Sequence, residues 1–520
     1  MRRFSAPAVL AFGAALAGAI GIVSALTPEF TDRSELVRGV LPPGVPEAAR
    51  VLALSFGIVL IWTARGLARR RWRAWKLAVA LVCASAVAHL AKGLDFEETA
   101  TTLALLAALW RWRREFSVRG DPATRWPLAQ ALAGLVAVGA LIWLRTSDHF
   151  GYSERIEEAL GAIAAMLALR ALYLWFRPHV HRGRQSDEAR LLAREIVRDE
   201  GRDSLCYFAL RQDKSWFFSP TGRSFLAFKV VGGVALVSGD PIGEPEELPD
   251  LVRHFTAEAH ARGWRVAIVG AAENGRAMYR ELGLRSLYVG DEAIVRPESF
   301  SLDGRPIRKV RQSVTRLEKA GYTARVLAPW EVDAELRAQI EEVSAEWRAG
   351  TRERGFSMAM DALFRYPDSV IVVASDADGH VGGFLQLVPA PATNGYSLAT
   401  MRRRLDTPNG LMEFLIVEAL AWAKESEVSE LSLNFALFGR VLRAEDRHRL
   451  LRWLLLRGDR FFQIERLHAF NRKFFPEWRP RYLCFERYAD LPYVALVYGH
   501  LEGFLVAPGP RSRAPDLAAA

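Results

Sequence analysis

From Phe4 to Pro28 the chain runs 25 residues without a charged side chain, enough for a helix to cross a bilayer. Arg2 and Arg3 precede this run, as they would in a signal peptide. The run is long for a signal sequence, however, and more apolar runs follow, so it reads as a first anchor helix. Those runs centre on Val51–Ala64, Leu77–Ala91, Thr99–Trp110, Trp126–Leu144 and Ala159–Phe176. The pattern predicts an α-helical membrane domain over 1–180 with about six transmembrane helices. The fourth run is short and reads as tilted, re-entrant or extended by snorkelling arginines. Arg170 lies inside the sixth and either snorkels to the inner face or meets a lipid headgroup.

With six spans and the N-terminus inside, the inner segments carry 16 Lys and Arg residues and the outer segments 6. The richest inner stretch holds Arg65, Arg69, Arg70, Arg71, Arg73 and Lys76. That asymmetry predicts a multi-pass plasma-membrane protein with its C-terminal region in the cytoplasm. Trp72, Trp75, Trp110 and Trp112 stand among the inner arginines, where interfacial anchors belong. The net charge of +10 suits contact with anionic lipid or nucleic acid. The three cysteines, Cys83, Cys206 and Cys484, are far apart and suggest no disulfide framework or zinc ribbon.

After about residue 185 the chain reads as α/β. A helix is expected over 188–200, then strands at 204–209, 215–218, 224–230 and 234–238. A helix at 251–262 leads to a strand at 265–269, and a short helix at 275–282 to a strand at 285–289. A similar order restarts near Pro306. It has a basic helix over 307–320, strands at 323–326, 369–375, 380–388 and 396–401, helices at 331–350 and 411–424, and a strand at 430–434. The expected division is 1–180, 181–304, 305–507 and a disordered tail, 508–520. No GxxxxGK[ST], strand-borne GxGxxG, HExxH or GxSxG occurs, and the histidines lack metal-ligand spacing. A chemistry that needs no metal and no cofactor fits, such as transfer from an already activated donor.

Six segments in order carry a resemblance: Ser238-Gly-Asp-Pro-Ile-Gly-Glu244, Tyr288-Val-Gly-Asp-Glu-Ala-Ile-Val295, Gly355-Phe-Ser-Met358, Pro408-Asn-Gly-Leu-Met-Glu-Phe414, Leu431-Ser-Leu-Asn-Phe-Ala436 and the segment from Phe470 to Tyr482. They resemble the catalytic domain of the phosphatidylglycerol lysyltransferases, the aminoacyl-phosphatidylglycerol synthases. The resemblance implies two tandem acetyltransferase-like (GNAT) folds. It also implies transfer of an amino acid, lysine by default, from aminoacyl-tRNA to the glycerol hydroxyl of phosphatidylglycerol, which lowers negative membrane charge and resists cationic antimicrobial peptides. Long members of the family have many more spans, including a flippase portion, so this chain resembles a synthase with a shortened membrane region.

Such a reaction must orient a hydroxyl beside an ester carbonyl and stabilise the oxyanion. Glu413, Arg403 and Asn434 are the candidate catalytic residues. Glu413 opens a helix after Pro408-Asn409-Gly410; it either meets the donor amine or complements the helix dipole. Asn409 lies where free backbone N–H groups bind a phosphate or carbonyl oxygen. Strand alternation turns Arg403 away from Arg402 and Arg404. Asn434 ends an apolar strand and faces a ligand or closes the strand end. Lys309 and Arg316 share one face of the basic helix, for tRNA or lipid phosphate or simply for solvent. Arg440, Arg443 and Arg447 form a second basic stripe. Asp240 and Glu244 frame a turn and either bind an amine or cap it, and Glu292 has the same two readings. Glu353 and Ser357 belong to a loop that covers the aminoacyl group or packs as core. Lys473, Arg479, Arg481 and Tyr482 surround an expected turn at Pro476-Glu-Trp-Arg-Pro480 suited to phosphate. Two rivals stay open: the same fold with another acceptor, diacylglycerol or a peptide, and a non-catalytic membrane-anchored protein that binds tRNA or lipid. The sequence sets no oligomeric state.

Overall fold

A computed structural model describes residues 6–26, 45–93, 96–118, 120–146, 154–177, 179, 183, 185–348, 355–437 and 464–503. They form two compact units: Met1–His181 with Ala257–Trp264, and Arg182–Thr256 with Arg265–Ala520.

The first unit is helical, with α1 (Ala6–Leu26), α2 (Val45–Ala68), α3 (Trp72–Gly93), α4 (Phe96–Arg111), α5 (Arg125–Thr146) and α6 (Glu154–Phe176). Three stretches, Ala6–Leu26, Arg125–Ile142 and Glu158–Phe176, are long and apolar enough to cross a membrane; Leu54–Ala68 is apolar but shorter. The expected third and fourth runs form α3 and α4, which fall short of that standard among the described residues. Phe12, Val136, Met166 and Leu169 point outward, as lipid-facing side chains do. Gly18 and Gly57 let α1 and α2 approach closely: a Cβ on either would stand 2.6 Å from the other's carbonyl oxygen. The arginine-rich connections are stapled. Arg73 donates to the Asp121 carbonyl at 3.0 Å and to Thr124 Oγ1 at 2.7 Å, and Arg71 to the Phe176 carbonyl at 2.6 Å.

The second unit is built on one mixed sheet. Its elements are α7 (Asp187–Glu200), β1 (Ser215–Phe218), β2 (Ser224–Val231), β3 (Val234–Ser238), β4 (Ile242–Gly243), α8 (Leu248–Ala261), β5 (Arg265–Ala272), α9 (Arg276–Glu281) and β6 (Arg285–Val295). Then come α10 (Arg308–Lys319), β7 (Thr323–Leu327), α11 (Ala334–Arg348), β8 (Val370–Ser375), β9 (Val381–Ala390), β10 (Gly395–Arg403), α12 (Leu411–Glu425) and β11 (Glu430–Leu437). Last are α13 (Ile464–Asn471), β12 (Glu477–Phe485) and α14 (Leu491–Leu501). The strand order is β1-β2-β3-β5-β12-β6-β11-β10-β9-β8-β7, with β4 on β2.

Apolar spacing positions the layers. Ile307, Val310, Val314 and Leu317 recur at helical intervals and bury α10 beside α12 on one face of the second half of the sheet. Leu336, Ile340 and Val343 bury α11 on the opposite face. The chain's last strand and helix return to the first half: β12 lies between β5 and β6, and α14 packs on β3, β5 and β12.

Two local expectations are corrected. The run 204–209 is not a strand; Cys206–Leu210 is a 3-10 turn buried all round. The segment Pro476-Glu-Trp-Arg-Pro480 is not a turn; from Glu477 it forms the start of β12. Pro480 is tolerated because β5 joins β12 only from Arg481 onward, so on that side Pro480 has no ladder to interrupt. The tail 508–520 and the stripe Arg440, Arg443 and Arg447 lie outside the described residues.

Candidate active site

β10 and β11 flank α12 and run parallel, but they pair only from Gly395 to Ser397 against Glu430 to Ser432. Both then bulge, β10 between Leu398 and Thr400 and β11 between Ser432 and Phe435, and they diverge. Bulges at the carboxyl ends of parallel strands open a crevice of the kind ligands use in α/β sheets. Asn434 stands at this fork with a left-handed backbone, φ +76°. Its Nδ2 donates to the Met358 carbonyl at 3.0 Å and the Leu398 carbonyl at 3.1 Å, so its amide protons bracket the fork.

The two faces of β10 carry different groups. Arg403 faces α12 and donates to Thr407 Oγ1 at 3.2 Å. On the α12 side, Glu413 is almost wholly buried and accepts from Lys473 Nζ at 2.6 Å, while its Oε2 has no hydrogen-bond partner among the described residues. The half-exposed Lys473 also lies 5.2 Å from the Phe470 ring centre. Asn409 is exposed, and its carbonyl accepts from Arg316 at 3.0 Å, tying α10 to the start of α12. Lys309 and Arg316 are both exposed on the outer face of α10.

Arg402 and Arg404 face α11. Arg404 pairs with Glu342 at 2.6 Å. Arg402 donates to Ser344 Oγ and, with Thr400, floors a cavity of about 660 Å³. α11 forms one wall, with Arg337 and Arg348, and the segment 360–365 forms the other, with Arg365. Buried Gln386 holds that second wall through the Ala362 and Leu363 carbonyls, at 3.3 and 2.9 Å. The lining also holds the carboxylates of Glu341, which pairs with Arg337 at 3.1 Å, and Asp361; with four guanidinium groups the space still carries an excess of positive charge that suits a phosphate or a developing oxyanion. The sequence reading singled out Arg403 on this strand. Alternation alone separates Arg402 from Arg403, but only the placement of α11 and segment 360–365 decides which face is hollow.

Most other candidates are engaged elsewhere. Arg481 and Glu292 form an interior ion pair at 2.5 Å; Arg481 also meets Asp203 at 2.7 Å and Ser204 Oγ at 2.8 Å, and Glu292 accepts from Ser204 and Ser432 at 2.5 Å each. Burial pushes the Glu292 carboxyl up, but Arg481 and the two hydroxyls outweigh it and hold it below the usual range. Arg479 pairs with Glu430 at 2.8 Å. Tyr482 donates to Glu273. Asp240 accepts from Tyr279 at 2.5 Å and from Ala272 N at 2.9 Å; burial and nearby Asp203 push its carboxyl up to about 6. Glu244 pairs with Arg223 at 2.8 Å near β2 and β4, away from the fork. Ser357 is buried, and its Oγ donates to Glu502 at 2.5 Å. Glu353 lies outside the described residues. Asp376, Asp378 and His380 cluster closely enough to ligate a metal ion, but on a turn apart from the cavity lining.

The C-terminal region of phosphatidylglycerol lysyltransferase, as a family, matches residues 194–485. The lysylphosphatidylglycerol biosynthesis bifunctional protein LysX of Mycolicibacterium vanbaalenii is 35% identical over 88% of this chain and 46% of its own length. LysX of Rhodococcus jostii is 33% identical over 88% of this chain and 45% of its own length. The chain thus spans about half the length of these curated relatives. The structure of L-PGS from Bacillus licheniformis superposes with a TM-score of 0.56 and 25% identity, covering 62% of this chain and 98% of that one. On the match over 194–485, this chain belongs to the phosphatidylglycerol lysyltransferase family.

Proposed function

We propose that this protein transfers a lysyl group from aminoacyl-tRNA to the glycerol hydroxyl of phosphatidylglycerol, at the inner face of the plasma membrane. Family membership supports the reaction class, and the arginine-floored cavity between β10, α11 and the segment 360–365 is the observation that carries the site. The hydroxyl oxygen bonds to the ester carbonyl carbon, the bond from that carbon to the tRNA ribose oxygen breaks, and the glycerol proton ends on the ribose oxygen. Arg402 stabilises the oxyanion that forms between these events. Glu413, through its Oε2, which has no hydrogen-bond partner among the described residues, is the proposed proton relay on the opposite face of β10, where it also accepts from Lys473. Asn434, whose amide bridges the fork, and Arg403, on the α12 face, position the strand ends around the reacting groups. The exposed cations Lys309 and Arg316 take the tRNA backbone.

Six spans, an inside N-terminus and a cytoplasmic catalytic region complete this reading, supported by the 16 to 6 bias of basic residues. The repeated order of antiparallel strands, crossover helix and parallel strand supports two tandem GNAT folds, with β12 contributed by the second to the first. The test is incubation of the full chain in phosphatidylglycerol vesicles with lysyl-tRNA labelled in the amino acid. RNase-sensitive label in lysyl-phosphatidylglycerol is expected. Label in a diacylglycerol ester or a peptide instead, or tRNA binding with no product, overturns the proposal in favour of another acceptor or a binding role.

A further inference from the structure

The segment that walls the cavity is fixed by residues far from it in sequence. At its root, residues 355–359, the carboxylate of Glu502, just past α14, accepts from Phe356 N at 2.7 Å, Ser357 N at 3.0 Å and Ser357 Oγ at 2.5 Å. The Glu502 carbonyl accepts from Gly355 N at 3.3 Å. From the other side, Arg211 spans the root: its Nη1 donates to the Gly355 carbonyl and, at 2.5 Å, to the Ala359 carbonyl, while its Nε pairs with Asp213 at 2.9 Å. Glu502, Arg211, Phe356 and Ser357 are all buried. A carboxylate and a guanidinium withdrawn from water are tolerated only where several hydrogen bonds meet them, so both ends of the root are tied strongly. Met360 follows directly and is itself part of the cavity lining, and the Met358 carbonyl is the one Asn434 holds.

We propose that Arg211 and Glu502 are positioning residues for the transfer reaction: they clamp residues 355–359 and thereby set where the 360–365 wall stands over Arg402. This rests on the cavity being the reaction site. Arg211, Glu502, Phe356 and Ser357 do not line the cavity. Loss of the clamp therefore changes turnover rather than capture of tRNA, which the outer face of α10 performs.

The experiment uses the full chain in phosphatidylglycerol vesicles and compares wild type, Glu502→Ala and Glu502→Gln by two readouts. In lysyl transfer, Glu502→Ala lowers kcat at least about tenfold and leaves KM for lysyl-tRNA within about twofold, and Glu502→Gln, which keeps one acceptor oxygen for Ser357 but turns its amino group toward Phe356 N, recovers part of kcat. In amide hydrogen exchange without substrates, Glu502→Ala loses protection at 356–357 and onward through 360–365, while 308–319 is unchanged. If Glu502→Ala fails to fold, Arg211→Lys, which cannot span both carbonyls, takes its place with the same expectations. Exchange changes confined to 355–357, an unchanged kcat, or a loss of kcat that Glu502→Gln does not relieve overturn the clamp. Spreading exchange changes in a protein whose wild type makes no lysyl lipid overturn the proposed function and leave the clamp standing.

Discussion

β3 and β5 pair along the whole of β3, Val234 to Ser238 against Arg265 to Val269, around α8; β10 and β11, around α12, part after three residues. These two strand–helix–strand crossovers share their topology and differ at the strand ends. Past β3, Gly239 N still donates to the Val269 carbonyl at 2.8 Å, and the Asp240 carboxylate accepts from Ala272 N at 2.9 Å. That carboxylate stitches the first pair shut. At the second pair, Asn434 takes a left-handed backbone, both strands bulge, and its amide fills the gap with hydrogen bonds to Leu398 and Met358. An opening in this fold is therefore a property of a few residues at strand ends, not of the crossover itself. The sharpest way to break the comparison is to disable each end. Arg402→Ala, beside the open pair, is expected to lower kcat/KM for lysyl transfer at least about 100-fold, about 2.7 kcal/mol of transition-state stabilisation. Asp240→Asn, at the closed pair, is expected to stay within about threefold of wild type. Equal losses in the same initial-rate assay would mean that both ends serve the reaction.

The closed end also has a pH signature. Asp240 keeps its proton in the folded protein up to about pH 6, against 3.8 for an ordinary aspartate, because burial and Asp203 disfavour its charge. Unfolding between those values releases that proton. The stability supplied by the protonated stitch is therefore full below about pH 4 and declines as pH rises to about 6, by about 2–3 kcal/mol. Asp240→Asn resembles the protonated acid and should remove this decline. Thermal unfolding of the detergent-solubilised full chain at pH 4, 5, 6 and 7 measures it, and parallel curves for wild type and variant would refute it.

Periodicity made most elements legible: β3 falls where its apolar run lies, and α10 and α12 come within a residue or two of the expected bounds. Segment 204–209 misled because a short run buried on every side has no period to distinguish strand from 3-10 turn. Segment 476–480 misled because its two prolines, Pro476 and Pro480, signal a turn; yet Pro476 precedes β12, and Pro480 is tolerated within it because β5 ends short of it. The site was less legible for the same reason. Arg481 and Glu292 look like free charges in the sequence, yet they find each other across 189 positions. Arg402 and Arg403 differ only by alternation until α11 covers one of them. The clamp residues Arg211 and Glu502 carry no local signal at all, since each acts on a segment more than 140 positions away.

The smallest expected effect sharpens the comparison at two glycines, one at each strand end's neighbouring turn. Gly239 follows β3 with φ +73°, and a Cβ there would meet nothing nearer than Leu205 Cβ at 3.6 Å. Gly410 precedes α12 with φ +98°, and a Cβ there would stand 2.6 Å from Ser313 Cβ on α10. Both alanine variants bear the left-handed penalty of about 1–2 kcal/mol. Only Gly410→Ala must also push α10 away from the start of α12, straining the Arg316 hydrogen bond to Asn409. It should therefore unfold more easily than Gly239→Ala by about 1 kcal/mol, the low end of the cost of forcing a group into a packed contact. It should also weaken tRNA binding, because the displaced helix carries Lys309 and Arg316. Equal stabilities in denaturant titration would show that α10 and α12 are loosely joined, and the basic face could then not owe its position to the helix that starts beside the fork.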